Sequence, residues 1–190
     1  MNKTVGAVLL AAGESQRFGE KNKLLVEIDG KPVVSHALET LVESAVDDIV
    51  AIVGHESERV GDVLSGVETR YNAEYGAGQS TSVKAGVAVA QERGWDATLF
   101  MLGDMPFVQT ATIDRLIEAY RDDEATILAP SYNGKRGNPA LFDATHYDAL
   151  AAVSGDAGGR ELLHTHGVLV PVEDRGVCED IDRVSDLDVE

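Results

Sequence analysis

Apolar residues concentrate in short segments rich in valine, isoleucine and leucine: VGAVLLAA (5–12), DIVAIVG (48–54), ATLFMLGD (97–104), TILAPSY (126–132) and GVLVPVE (167–173). Runs of that length, with apolar residues on both pleat faces, read as buried strands. Between them the apolar positions change to helical spacing over 32–45, 57–65, 80–93 and 110–122. Pro32 suits a first helical position, Thr110 an N-cap, and the serines before 83 a serine-rich cap. Strands alternating with helices predict an α/β fold, a Rossmann-like three-layer sandwich whose mostly parallel sheet is covered on both faces. In such a sheet, ligands sit beyond the carboxyl ends of the strands. The stretch 133–166 breaks the alternation and reads as an insertion of loops and short helices.

A chain of 190 residues suits one domain, spanning 1–190. Asp and Glu number 33 against 16 Lys and Arg, giving a formal charge of -17 spread along the whole chain. That balance argues against a nucleic-acid partner, and it suits a salt-rich cytoplasm, where repulsion between distant charges is screened. Cys178 is the single cysteine, so intrachain disulfides and thiolate zinc clusters are excluded, and a reducing compartment is expected. The apolar run after Lys3 is shorter than the roughly 18 residues that span a bilayer. It resembles the core of a signal peptide but continues into a charged glycine loop, which makes removal by cleavage an unattractive reading. A cytoplasmic protein without a membrane partner is expected.

That loop, GESQRFGEKNK, carries Gly13, Ser15, Arg17, Gly19, Lys21 and Lys23 directly after the first strand. Glycine lets the backbone turn its amides toward an anion, and the cations neutralise phosphate. The spacing matches neither the P-loop nor the dinucleotide fingerprint. In LGDMPFV, Asp104 closes a strand before a proline turn, either as a turn residue or as an oxygen ligand for Mg²⁺. The segment NAEYGAGQSTSVKAG offers Gly76, Gly78, Ser80, Thr81 and Ser82 to a base or ribose, or simply caps a helix. Arg136, Asn138 and Arg160, in the irregular region, suit a second, anionic substrate, or belong to solvated loops. Asp180 and Asp182 share a face if their segment is extended, which puts either within reach of a metal. His164 and His166 lack a third ligand of matching type nearby, and no Ser-His-Asp or Cys-His system is visible.

With LAAGESQRFGEKNKLL, LGDMP, RGNPALF, GDAGGRELL and DIDRVSDLD in this order, nearly the whole chain resembles the nucleotidyltransferases of molybdenum-cofactor biosynthesis, most of all the molybdopterin cytidylyltransferase branch. The resemblance implies transfer of CMP from CTP to molybdopterin, with Mg²⁺ and release of pyrophosphate. It implies nucleotide contacts from Leu10, Ala11, Ala12, Gly13 and Ser15, triphosphate contacts from Arg17 and Lys23, and a base and ribose pocket at Gly78, Ser80 and Ser82. The lysine immediately before the LL pair, Lys23, is favoured over Lys21. Asp104 becomes the chief metal ligand, with Asp180 or Asp182 in support, and contact with a molybdoenzyme or chaperone is a further expectation. The chain departs from the family pattern at Asn138, where that branch commonly has histidine, and at Arg183-Val184, where it has Thr-Pro. Leu-Ala-Ala-Gly in place of Leu-Ala-Gly-Gly leans toward CTP. The rival readings are GTP with molybdopterin, an NTP with a sugar or alcohol phosphate, and an accessory module that binds nucleotide or molybdopterin without turnover.

Overall fold

The computed structural model describes residues 3–15, 21–123, 125–152, 154–155, 159–182 and 186. In chain order its strands are β1 (Val5–Ala11), β2 (Glu27–Ile28), β3 (Lys31–Pro32), β4 (Asp48–Val53), β5 (Glu68–Tyr71), β6 (Ala97–Leu102), β7 (Ile127–Tyr132), β8 (Lys135–Arg136), β9 (Ala140–Asp143) and β10 (Val168–Pro171). Its helices are α1 (Val33–Val42), α2 (Ser57–Val63), α3 (Gln79–Arg93), α4 (Thr110–Arg121), α5 (Tyr147–Ala152) and α6 (Arg160–His166). The main sheet runs β10-β7-β9-β6-β1-β4-β5, with β8 added on β7, while β2 and β3 make a separate hairpin. Pairing is parallel for β1 with β4 and β6, β4 with β5, and β7 with β10; β9 runs antiparallel between β6 and β7.

Every residue of β1 is buried, because the strand has neighbours on both edges and helices on both faces. Val5, Ala7, Leu9 and Ala11 join α1 and α4 through Leu41, Ile113 and Ile117. Val8, Leu10 and Ala12 join α3, α5 and α6 through Val83, Val87, Leu150 and Leu163. This strict alternation is the pleat expressed as two cores. Close approach on the second face requires glycine. A Cβ on Gly6 would lie 2.1 Å from Cδ2 of the Trp95 ring, and one on Gly86 would lie 2.8 Å from both Phe100 and Val8.

The alternating α/β reading agrees with this architecture, but four local expectations are corrected. The stretch 133–166 holds β8, α5, α6 and, most importantly, β9, which lies inside the sheet. Its buried core is only Ala140, Leu141 and Phe142, too short a run to stand out from a loop. The strand β5 also escaped notice, because Glu68–Tyr71 is a polar, largely exposed edge. Thr110 is the first residue of α4 rather than its N-cap. The role falls to a distant side chain: buried Asp174 accepts from the Gln109 N–H at 2.9 Å and from the Thr112 hydroxyl at 2.7 Å. Finally, α3 has no side-chain cap; it begins at Gln79 after Gly78, with the serines already inside the helix.

Two stability measurements follow. Asp174→Ala leaves the Gln109 and Gly176 amides and the Thr112 hydroxyl without their acceptor. It is expected to cost about 2–4 kcal/mol, read as a lower urea midpoint at unchanged slope. Gly6→Ala drives a methyl group into the Trp95 ring and should cost about 1–3 kcal/mol, a thermal midpoint several degrees lower. A midpoint equal to that of the wild type would remove the close-packing argument.

Candidate functional site

From β1 the chain crosses to β4 and β5 on one side, then returns through α3 to β6 on the other side of β1. The carboxyl ends of β1 and β6 therefore flank a topological switch, the place where α/β sheets open a crevice. A cleft of about 640 Å³ lies there, lined by Leu10, Ala12, Gly13, Ser15 and Lys23 on the β1 side and by Leu102 and Asp104 after β6. Gly78, Gln79 and Ser82 at the start of α3, together with Tyr75, Arg160, Asp180 and Asp182, line its other sides, and Glu14 borders it beside Gly13.

Local hydrogen bonds aim these groups. Ser15 takes a left-handed backbone (φ 55°), and its Oγ accepts the Lys23 N–H at 3.1 Å. Buried Asn22 accepts the Leu24 N–H at 3.1 Å, and the Ser15 hydroxyl approaches the same Oδ1 at 3.3 Å. With Leu24 buried in the core, both sides of Lys23 are pinned. At the other wall, Gly78 has φ 107° and ψ 168°, a region that is essentially glycine's alone. The turn leaves α3 without a side-chain cap where its first residues line the cleft, so the positive end of the helix is open to an anion. Buried Asn72 fixes this end by donating to Thr81 Oγ1 at 2.8 Å and to Ser82 Oγ at 3.0 Å.

Charge is concentrated at the floor. Lys23 Nζ lies 2.5 Å from Asp104 Oδ2 and 3.0 Å from Asp182 Oδ1. One carboxylate oxygen from each of Asp104, Asp180 and Asp182 falls within 4.8 Å of the others. Between the last two, Ile181 is buried against Val33, and its N–H donates to the Asp104 carbonyl at 2.9 Å, so the apolar residue places both neighbouring carboxylates. Burial pushes the Asp104 carboxyl up, with Asp180 adding to the shift against the opposing pull of Lys23. Burial opposes the Lys23 charge, but Asp104 and Asp182 outweigh it and hold the ammonium above the usual lysine range. One ammonium thus faces a group of carboxylates, and buried Asp104 Oδ1 has no hydrogen-bond partner among the described residues. An all-oxygen set with an orphaned buried oxygen fits a hard divalent cation such as Mg²⁺ or Mn²⁺.

Of the residues singled out in the sequence, the fold brings Leu10, Ala12, Gly13, Ser15, Lys23, Gly76, Gly78, Ser82, Asp104, Arg160, Asp180 and Asp182 to this one cleft. Ala11 is buried in β1, and Ser80 is buried inside α3 without lining the cleft. Arg136 pairs with β7, and the Asn138 N–H donates to Val177, so neither lines it. Arg17 and Gly19, like Arg183 and Val184, lie outside the described residues. His164 and His166 are exposed on α6. The structure adds Asn22 and Asn72 as positioning groups and Tyr75 and Gln79 as lining. Asn22 lies inside the lysine loop, and Asn72 opens the NAEYGAGQSTSVKAG segment, where its Oδ1 also accepts the Glu74 N–H at 2.9 Å; its bonds to Thr81 and Ser82, nine and ten residues on, are what no local pattern shows. Among the described residues, no helix is long and apolar enough to cross a membrane.

Residues 7–170 match the family model described as the MobA-like NTP transferase domain. The bifunctional protein GlmU of Syntrophomonas wolfei is 32% identical over 133 residues, 68% of this chain but only 29% of GlmU, so the chain spans under a third of that relative. Nicotine blue oxidoreductase of Paenarthrobacter nicotinovorans is 30% identical across 96% of this chain and 94% of its own length. Among solved structures, Rv0371c of Mycobacterium tuberculosis H37Rv superposes with a TM-score of 0.81 at 26% identity, covering 98% of this chain and 96% of that one, and it has also been solved in complex with manganese. With the family model spanning most of its length, this chain belongs to the MobA-like NTP transferase family.

Proposed function

We propose that the chain, as one cytoplasmic domain, transfers CMP from CTP to the phosphate of molybdopterin and releases pyrophosphate, with Mg²⁺ at Asp104, Asp180 and Asp182. The observation that carries this reading is the meeting of Lys23 with that carboxylate cluster in a cleft whose other walls are the loop after β1 and the open start of α3. CTP is preferred over GTP on the Leu-Ala-Ala-Gly form of the first loop, and molybdopterin on the order of motifs along the chain.

An acceptor phosphate oxygen is already ionised at neutral pH, so the step asks for no strong general base. That oxygen forms a bond to the α-phosphorus as the bond to the bridging oxygen breaks, and pyrophosphate leaves with the electron pair. Catalysis then rests on alignment and on charge neutralisation. The divalent ion, when bound, supplies positive charge to the phosphate oxygens. Lys23, held by Ser15 and Asn22, offers its ammonium to the triphosphate, and Gly13, which borders the cleft, is proposed as a backbone contact. Gly78 and Ser82 border the space for base and ribose, and Arg160, on the cleft wall, suits the acceptor phosphate. Arg17 is proposed as a second triphosphate contact. The second enzymatic reading, GTP as donor, keeps every one of these roles and changes only the base.

Two measurements test the proposal. Pyrophosphate release is expected with CTP and molybdopterin together, and Lys23→Ala or Asp104→Asn should lower turnover at least about 100-fold in a folded protein. Release with GTP alone among the NTPs would transfer the assignment to guanylyl transfer, and near-normal turnover in either variant would sink the site assignment. Separately, Mg²⁺ or Mn²⁺ at about 100 times its dissociation constant should add about 2.7 kcal/mol of stability, seen as a thermal midpoint several degrees higher. In Asp104→Asn that gain should vanish.

A further inference from the structure

We infer that Lys23 is the resident cation of the carboxylate cluster, and that a divalent ion exchanges with it, releasing the ammonium toward the triphosphate. The inference rests on reading the cleft as a site for a metal ion and an NTP. It differs from a simple triphosphate contact in what it says about Lys23 before any nucleotide arrives.

Lys23 Nζ holds one oxygen of each of two carboxylates, Asp104 Oδ2 at 2.5 Å and Asp182 Oδ1 at 3.0 Å. An Mg²⁺ ion would sit about 2.0–2.1 Å from its oxygen ligands. Coordinating either oxygen on the side facing Nζ would put a double charge against the ammonium at close range, so the two cations compete for these groups. The way in is already present. Asp104 Oδ1 is buried and lacks a partner among the described residues, leaving one oxygen of the central carboxylate uncommitted while Lys23 occupies the other. Asp180, which lines the same cleft, stands within 4.8 Å of the group, ready to share the incoming charge.

The exchange needs no backbone movement. The Lys23 N–H is fixed to Ser15 Oγ, the next amide to Asn22 Oδ1, and the Leu24 side chain is buried. Only the lysine's own flexible stem is left to turn, and the cleft it borders also contains Gly13 and Gly78. Metal and nucleotide binding then become reciprocal. The ion frees the cation that the triphosphate requires, and a triphosphate drawing Lys23 away vacates the oxygens that the ion requires. Until the ion arrives, Lys23 keeps the carboxylates from facing one another uncompensated.

Manganese(II) binding without nucleotide, followed by the paramagnetic resonance signal of the free ion, tests this in wild type, Lys23→Gln, Lys23→Met, Lys23→Arg and Asp104→Asn. Removing the charge in Lys23→Gln or Lys23→Met should tighten manganese binding about tenfold or more, while Lys23→Arg keeps it weak. The two neutral variants should also melt at a lower temperature than wild type without metal and gain more on adding it. Near-ultraviolet circular dichroism verifies folding, and either neutral variant suffices if the other is misfolded. Unchanged or weaker manganese binding in a folded neutral variant, with binding still lost in Asp104→Asn, overturns the exchange and leaves the metal site standing. Failure of every protein, wild type included, to bind manganese overturns both.

Discussion

The parallel pairing of β1 with β6 is the constraint on which the rest depends. With Leu10 opposite Leu102, and the Gly103 N–H bonded to the Leu10 carbonyl at 2.9 Å, the two strands end together. The loop after β1 and Asp104 thus emerge side by side although they are far apart in sequence. Parallel neighbours need a crossover, and here it is long: α1, β4, α2, β5 and α3 all intervene before β6. The same crossover returns along α3, whose first turn becomes the opposite wall of the cleft. One pairing therefore fixes floor and walls at once, and the two cores on either side of β1 hold it in place.

Charge is distributed with a similar division of labour. Arg93 bonds Asp48 and Glu68, and Arg121 bonds Asp47, around the start of β4, at the end of the sheet away from the cleft. These are partly exposed pairs, screened by water and of little weight in stability. Lys23 and Asp104 are far more shielded, with side chains 15% and 16% exposed. Desolvation raises the stakes there, since a buried charge without a partner is costly and a buried pair needs good geometry to break even. The cluster is therefore a weak stabiliser of the fold and a strong organiser of the cleft.

Much of this was legible in the sequence because it is written in local patterns. The buried strands β1, β4, β6 and β7 are dense apolar runs, and a glycine loop with lysines after a strand has few other uses. What escaped was non-local. The strand β9 is recognisable only once β6 and β7 offer it two edges, and β5 is polar because it lies at the rim. Thr110 looked like a cap because Ser and Thr usually cap, whereas α4 takes its cap from Asp174, more than 60 residues onward. Asp180 and Asp182 read as one acidic pair among many in so acidic a chain. Buried Ile181 between them, tied to the Asp104 carbonyl, is what singles them out.

That tie bears on biosynthesis as well as chemistry. Lys23 and Asp182 are separated by 159 positions, with Asp104 between them, so the cluster draws on three remote parts of the chain. During translation the lysine loop and Asp104 are made well before the segment containing Ile181, and until Ile181 docks the carboxylate set is incomplete. The last part of the chain to be made thus completes the cluster, through the docking of one isoleucine.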